Sequence, residues 1–231
     1  MNKYLAEEKH STRRGADELV SQGTVFINGR LAKLGEKVNE GDKVEVRYRA
    51  GKKKKLIYLA YNKPRGVVTH SADENEEEIT GKVATKGVFP VGRLDKDSSG
   101  LIILTNDGRI TERLLSPNSY HEKEYVVTTK DKLRASFKQK MESGVRIGEE
   151  LTRPCKVEIL GEKKFKIILT EGKNRQIRRM CAALFQEVDT LKRVRVMNIE
   201  IDSLKENETR NIERDELKVF LGSLGLSETI V

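Results

Sequence analysis

Tryptophan is absent, aromatic residues make up only 5% of the chain, and histidine, proline and cysteine number three, four and two. Each scarcity removes a class of protein. A carbohydrate or peptide groove built on stacked aromatic rings lacks its material. Cys155 and Cys181 stand far apart with no CxxC between them, so neither a disulfide framework nor a zinc site is suggested. His10, His70 and His121 occur singly and read as solvated or satisfied side chains, so no metal is expected. No apolar run approaches the roughly 20 residues needed to span a membrane. The opening Met1-Asn2-Lys3-Tyr4-Leu5-Ala6-Glu7-Glu8 has no signal-peptide apolar core, so the cytoplasm is the default location. There is no P-loop and no GxGxxG, and no nucleotide cofactor is expected.

What the chain has is charge. Lysine and arginine total 45 against 36 acids, a formal net charge of +9 over 231 residues. The 36% hydrophobic share can still bury a core at this length. A basic surface favours polyanions, nucleic acid first. On charge alone, a merely soluble basic protein is an equal alternative.

Residues 1–50 read as a separate small unit. Residues 11–20 have helical spacing, with Ser11 as N-cap, Ala16, Leu19 and Val20 as the buried stripe, and Gly23 as the stop. Val25-Phe26-Ile27 is a strand, Asn28-Gly29 a hairpin turn, and residues 43–48 alternate as a second strand. Arg13 and Arg14 open the helix, where a phosphate can meet guanidinium groups and a helix N-terminus together. Residues 51–56 hold four lysines in a row and form a linker, a phosphate-contacting strip, or both.

Residues 57–231 form the larger domain. Strands are expected over residues 56–61, stopped by Asn62-Lys63-Pro64, and over 88–91, 101–105, 125–129 and 194–201. Residues 157–160 and 165–169 pair as a hairpin. Helices are expected over residues 130–144, 176–185 and 214–224, the second with Ile177, Met180, Cys181 and Leu184 on one face. Strands with helices irregularly between them predict an α+β fold with a mainly antiparallel sheet.

Three segments could carry chemistry. Gly92-Arg93-Leu94-Asp95-Lys96-Asp97-Ser98-Ser99-Gly100 is a polar, glycine-bounded loop between two apolar strands, where rigid flanks can hold reactive groups. A carboxylate between Arg93 and Lys96 is expected to be anionic, which suits a nucleophile or base; capping a turn is the commoner role for such aspartates. Glu171-Gly172-Lys173-Asn174-Arg175-Gln176-Ile177-Arg178-Arg179-Met180 leads from a glycine turn into a helix whose start carries three arginines, an arrangement that binds anions. Arg175 and Arg178 share a face and Arg179 points elsewhere. His121-Glu122-Lys123-Glu124-Tyr125 places a tyrosine at the start of a strand, a position that usually belongs to the core.

Taken in order, these segments resemble the RsuA-like family of ribosomal RNA pseudouridine synthases. Gly92-Arg93-Leu94-Asp95 with Ser99-Gly100-Leu101 is similar to its catalytic-loop motif, Lys123-Glu124-Tyr125 to its second motif, and residues 172–180 to its third. The opening Asn2-Lys3-Tyr4-Leu5-Ala6 and residues 11–17 resemble a small RNA-binding domain shared with a ribosomal small-subunit protein, its first helix short here. Within the family, residues 121–125 and 174–181 look most similar to the RluF-like branch, which modifies large-subunit RNA. The resemblance implies a small amino-terminal RNA-binding domain plus a catalytic domain of mainly antiparallel sheet. It implies Asp95 as nucleophile, Tyr125 stacking on the target base and assisting proton removal from carbon 5, and Arg178 pairing with Asp95. Arg93 and Lys63 are the implied RNA contacts near the site, joined by Asn174, Arg175 and Arg179. The implied reaction is isomerisation of a uridine in ribosomal RNA, 23S favoured over 16S, by a monomer that uses no cofactor. Two other readings remain open at this point: a non-catalytic ribosomal-RNA-binding or ribosome-assembly factor, and a glycosidase using Asp95 and Asp97 as a carboxylate pair.

Overall fold

The computed structural model describes residues 4–5, 13–39, 41–47, 55–69 and 77–227. The chain divides into two units, Met1–Lys55 with Asp107–Arg109, and Leu56–Asn106 with Ile110–Val231. In the first unit, helix α1 (Arg13–Ser21) is followed by strands β1 (Val25–Ile27), β2 (Arg30–Leu31) and β3 (Val44–Val46) in the antiparallel order β2-β1-β3. Asn28 and Gly29 form the two-residue turn with φ of 49° and 83°, the left-handed pair whose twist matches the flanking strands. Asn28 also bonds Asp42 and the amide of Lys43, tying the turn to the strand across the sheet. Leu5, Ala16, Val20, Val25, Ile27 and Ala32 form this unit's own core. Ser11, Tyr48 and residues 51–54 lie outside the described residues, so the expected N-cap and lysine strip do too.

The second unit is built on a nine-stranded sheet. Its strands are β4 (Tyr58–Lys63), β5 (Phe89–Val91), β6 (Ser99–Thr105), β7 (Lys123–Thr129), β10 (Lys156–Gly161), β11 (Lys164–Leu169), β12 (Val188–Val196), β13 (Ile199–Glu200) and β14 (Thr209–Asn211). The order is β10-β11-β7-β12-β6-β4-β14, with β5 on β6 and β13 on β12. Every pairing is antiparallel except the short one of β12 with β6. A separate hairpin joins β8 (Arg146–Ile147) and β9 (Glu150–Leu151).

Side chains alternate across the sheet. Leu59, Tyr61, Ile102, Leu104, Tyr125 and Val127 enter one core; Tyr58, Ala60, Leu101 and Ile103 enter the other. Burial on both faces explains why β4 and β6 read as unbroken apolar runs rather than alternating ones. Helices α4 (Phe137–Glu142) and α5 (Gln176–Ala183) cover the first face through Phe137, Met141, Ile177, Met180 and Cys181. The second face is covered by Ile110 and Leu114 of α3 (Arg109–Leu115) and by Phe220 and Leu221 of α6 (Arg214–Ser223). A four-residue helix, α2 (Ile79–Lys82), precedes β5. Among the described residues, no helix is long and apolar enough to cross a membrane.

Three sequence expectations are corrected. Strand β4 runs through Asn62 and Lys63 instead of stopping before them, because both polar side chains find buried partners: Asn62 donates to the Leu204 carbonyl, and Lys63 to those of Pro64 and Val67. The helix expected over residues 130–144 is only Phe137–Glu142. The amides of Lys130 and Leu133 bond the carbonyls of Glu187 and Glu162, tertiary partners that outcompete helical ones. The late strand begins at Val188 and turns at Met197–Asn198 into β13; its Asp189, Lys192, Arg193 and Arg195 hide the strand from a hydrophobicity reading.

Candidate active site

The loop between β5 and β6 is held at four consecutive carbonyls by four different donors. Leu94 O accepts from the Thr69 hydroxyl at 2.7 Å. Asp95 O accepts from the Ser98 amide at 3.0 Å, closing a β-turn. Lys96 O accepts from the Gly66 amide at 2.8 Å. Asp97 O accepts from Arg178 Nη2 at 3.0 Å. Leu94 itself points into the core at 7% exposure, so the main chain is anchored on one side and bonded on the other. Asp95 and Asp97 are left with side-chain exposures of 34% and 54% on a fixed backbone.

Helix α5 supplies the cations. Arg175, at its N-cap position, has a left-handed φ of 46°. Its Nη1 lies 3.8 Å from Asp95 Oδ2 and 3.9 Å from Asp97 Oδ2. Among the described residues, the Asp95 partner within ion-pair distance is thus Arg175, where the sequence reading placed Arg178. Arg178 instead bridges main-chain carbonyls, with Nη2 on Asp97 O and Nη1 on Val188 O. Burial pulls the Arg178 guanidinium below its ordinary range; Arg175 adds to that pull, and Asp97 and Asp95 oppose it. Its Nε and the Ser98 hydroxyl are buried with no hydrogen-bond partner among the described residues. Arg179 points to the other side and donates to the Ile147 carbonyl at 3.0 Å. The approach to α5 is braced by Glu171, which accepts from the Gln176 side chain at 2.6 Å and the Arg153 amide at 2.9 Å.

A row of paired residues crosses the sheet under the loop: Lys63 on β4, Gly100 on β6, Arg193 on β12 and Tyr125 on β7. In-register neighbours point to the same face, and here that face holds the core shared by Leu94, Tyr125 and Ile177. The row needs a glycine. A Cβ on Gly100 would lie 2.2 Å from the Arg193 carbonyl oxygen, and φ there is +109°.

Lys63 is fully buried, so the RNA contact expected of it is corrected: its ammonium turns inward to Pro64 O and Val67 O at 2.9 and 2.7 Å. Burial lowers its pKa to about 8 against an upward pull from Asp95 and Asp97. Arg193, 5% exposed, donates Nε to Leu101 O at 2.7 Å. Lys123 is also lowered by burial, with Arg193 adding to the effect. Arg193, together with Thr69 and Gly66, escaped the sequence reading. The alternation of Lys192-Arg193-Val194-Arg195-Val196 was a signal for Arg193, and nothing local marked Thr69.

The structure therefore gathers Asp95, Arg175 and Arg178 around one turn, and Tyr125 belongs to the same core cluster as that turn's Leu94. Arg93, Asn174 and Arg175 are exposed, as a contact to a large ligand requires. Arg13 and Arg14 begin α1, and their side chains lie outside the described ones. The thiols of Cys155 and Cys181 are pushed by burial to about 11 and about 12, which leaves them protonated and poor nucleophiles. Among the described residues, no group of three or more His, Cys, Asp or Glu side chains is placed to hold a metal ion.

Two family models match the chain: RNA pseudouridylate synthase over residues 57–183 and the S4 domain over residues 2–44. The dual-specificity RNA pseudouridine synthase RluF of Escherichia coli (strain K12) is 42% identical over 203 residues, which is 86% of this chain and 70% of that protein. Ribosomal large subunit pseudouridine synthase B of Bacillus subtilis is 35% identical over 203 residues, covering 84% of this chain and 83% of that one. A pseudouridylate synthase crystal structure matches with a TM-score of 0.70 and 29% identity over 94% of this chain and 97% of that one. The polar turn carrying Asp95, the arginines at the head of α5 and the tyrosine strand thus sit in a chain that belongs to the RsuA-like family of RNA pseudouridine synthases, in its RluF-like branch, and isomerises uridine to pseudouridine in RNA.

Proposed function

We propose that the substrate is ribosomal RNA, 23S rather than 16S, and that Asp95 is the nucleophile. The observation that carries this is the half-open Asp95 carboxylate on a loop bonded at the four carbonyls from Leu94 to Asp97, with a guanidinium 3.8 Å away. A reactive carboxylate needs a fixed position more than a buried one, because misplacement by about 1 Å can cost 100-fold in rate. The large-subunit assignment is supported by the name of the Bacillus subtilis relative.

The reaction balances without a group donor. The C–N bond at nitrogen 1 of uracil breaks, the base rotates, and a C–C bond forms at carbon 5. The carbon 5 proton leaves and nitrogen 1 gains one. The uridine must leave its stack to reach Asp95, at a cost of a few kcal/mol offset by basic contacts to flanking RNA. Arg93, Asn174 and Arg175, with Arg13 and Arg14 on the amino-terminal unit, are the groups for those contacts; Arg179, on the other side of the helix, is left to contact RNA farther from the target base. Tyr125 stacks on the flipped base and assists removal of the carbon 5 proton. Arg178 acts on Asp95 through the Asp97 carbonyl it holds. The enzyme works as a cytoplasmic monomer.

Pseudouridine mapping across both ribosomal RNAs tests this, in cells carrying wild-type protein, Asp95→Asn, or a chain lacking residues 1–50. Loss of one 23S site with Asp95→Asn, while the protein stays folded and ribosome-bound, is the expected result. Unchanged maps in that strain would overturn the nucleophile assignment. A 16S or transfer RNA site lost instead would overturn the substrate. Full single-site modification by the shortened chain would remove the amino-terminal unit from targeting.

A further inference from the structure

Thr69 sits on the segment that follows β4, outside every motif named above, and is 1% exposed. Its hydroxyl makes two bonds to one residue of the loop: it donates to Leu94 O at 2.7 Å and accepts from Leu94 N at 3.1 Å. Those are the two bonds a neighbouring strand would supply. Leu94 immediately precedes Asp95. On the other side of Asp95, Lys96 O is held by the amide of Gly66 from the same segment, at 2.8 Å. The segment 64–69 thus grips the catalytic loop on both sides of one residue. It is itself fixed from below, because the buried Lys63 ammonium ties its turn at Pro64 O and Val67 O. Val68, the residue before Thr69, is anchored through its amide to Glu77 O and through its carbonyl to the Ile79 amide.

From this we infer that Thr69 is a positioning residue for the isomerisation: its hydroxyl fixes the Leu94 peptide and hence the direction of the Asp95 carboxylate. The inference rests on Asp95 being the reacting group. At 1% exposure Thr69 offers no surface to RNA. Its loss therefore acts on the chemical step, not on substrate capture, a separation that a merely structural role would not give.

The test uses the full chain and a ribosomal RNA transcript tritiated at uridine carbon 5, following tritium release under multiple turnover. Thr69→Val keeps shape and β-branching and removes both bonds; kcat falls on the order of 10- to 100-fold with KM unchanged. Thr69→Ser restores the hydroxyl and returns kcat to within about threefold of wild type. If Thr69→Val does not fold, Thr69→Ala and Thr69→Ser carry the same comparison, since both leave room rather than fill it. Wild-type kcat in the variant lacking the hydroxyl, or a serine variant as slow as it, overturns the inference. So does a KM that rises in step with a falling kcat. Asp95→Asn run alongside separates the two claims. An inactive Asp95→Asn with a fully active Thr69→Val sinks the brace alone; an active Asp95→Asn sinks the nucleophile assignment, and the brace with it.

Discussion

Replacing Gly100 with alanine forces a Cβ to within 2.2 Å of the Arg193 carbonyl oxygen, 2.7 Å of its nitrogen and 3.0 Å of its carbonyl carbon. All three are backbone atoms of a paired strand, so no side-chain rotation relieves the overlap, and β6 and β12 must separate. Overpacking of this kind costs about 1–3 kcal/mol. The φ of +109° adds backbone strain, about 1–3 kcal/mol for a residue with a side chain. The total is on the order of 4 kcal/mol, a large part of the roughly 5–15 kcal/mol that stabilises a domain. For a unit of this size it lowers Tm by about 8–16 °C. Activity should fall further than stability, because the displaced strand carries Arg193, whose register partner is Tyr125. Circular dichroism melts give the first quantity, and tritium release well below the variant's Tm gives the second. A Gly100→Ala protein melting within about 2 °C of wild type with undiminished turnover would show that the sheet yields at this crossing, and the steric account would be wrong.

Two arginines on one helix should separate by phenotype. Arg175→Gln removes an exposed ion pair worth less than about 1 kcal/mol, so urea unfolding barely moves while RNA binding weakens. Arg178→Met removes two charge-assisted bonds to main-chain carbonyls, costing about 2 kcal/mol or more, and lowers kcat. The opposite ranking in unfolding would refute the geometry. Lys63 gives a pH signature. Its folded pKa, about 8, lies below its ordinary 10.5, so between those values the unfolded chain binds more protons and stability from this group rises with pH. Lys63→Met should therefore destabilise more at pH 9.5 than at pH 7.5. Urea midpoints for both proteins at the two pH values check this, and a gap that is constant or shrinks with pH would contradict the buried placement.

Features set by near neighbours were legible in the amino-acid order. The Asn28-Gly29 turn needs two left-handed residues, and only the local pair decides that. The 3.6-residue spacing of Ile177, Met180 and Cys181 put them on the buried face of α5 regardless of what they pack against. The glycine-bounded acidic loop, the arginine-headed helix and the tyrosine strand were visible as separate segments, and their order pointed to the family. What the sequence could not hold was the outcome of competition between distant groups. Residues 130–136 have helix-forming composition, but the carbonyls of Glu162 and Glu187 capture their amides. Lys63 looks like any solvated lysine until the turn after it folds back and offers two carbonyls to its ammonium. The choice between Arg175 and Arg178 as partner of Asp95 was made by where the fold sets the head of α5 against the loop, and the role of Thr69 by a loop 25 residues away. Local sequence determined which elements form and which residues are chemically able to act. The tertiary structure decided which donor meets which acceptor, because a hydrogen bond between distant residues exists only once the fold has placed both ends.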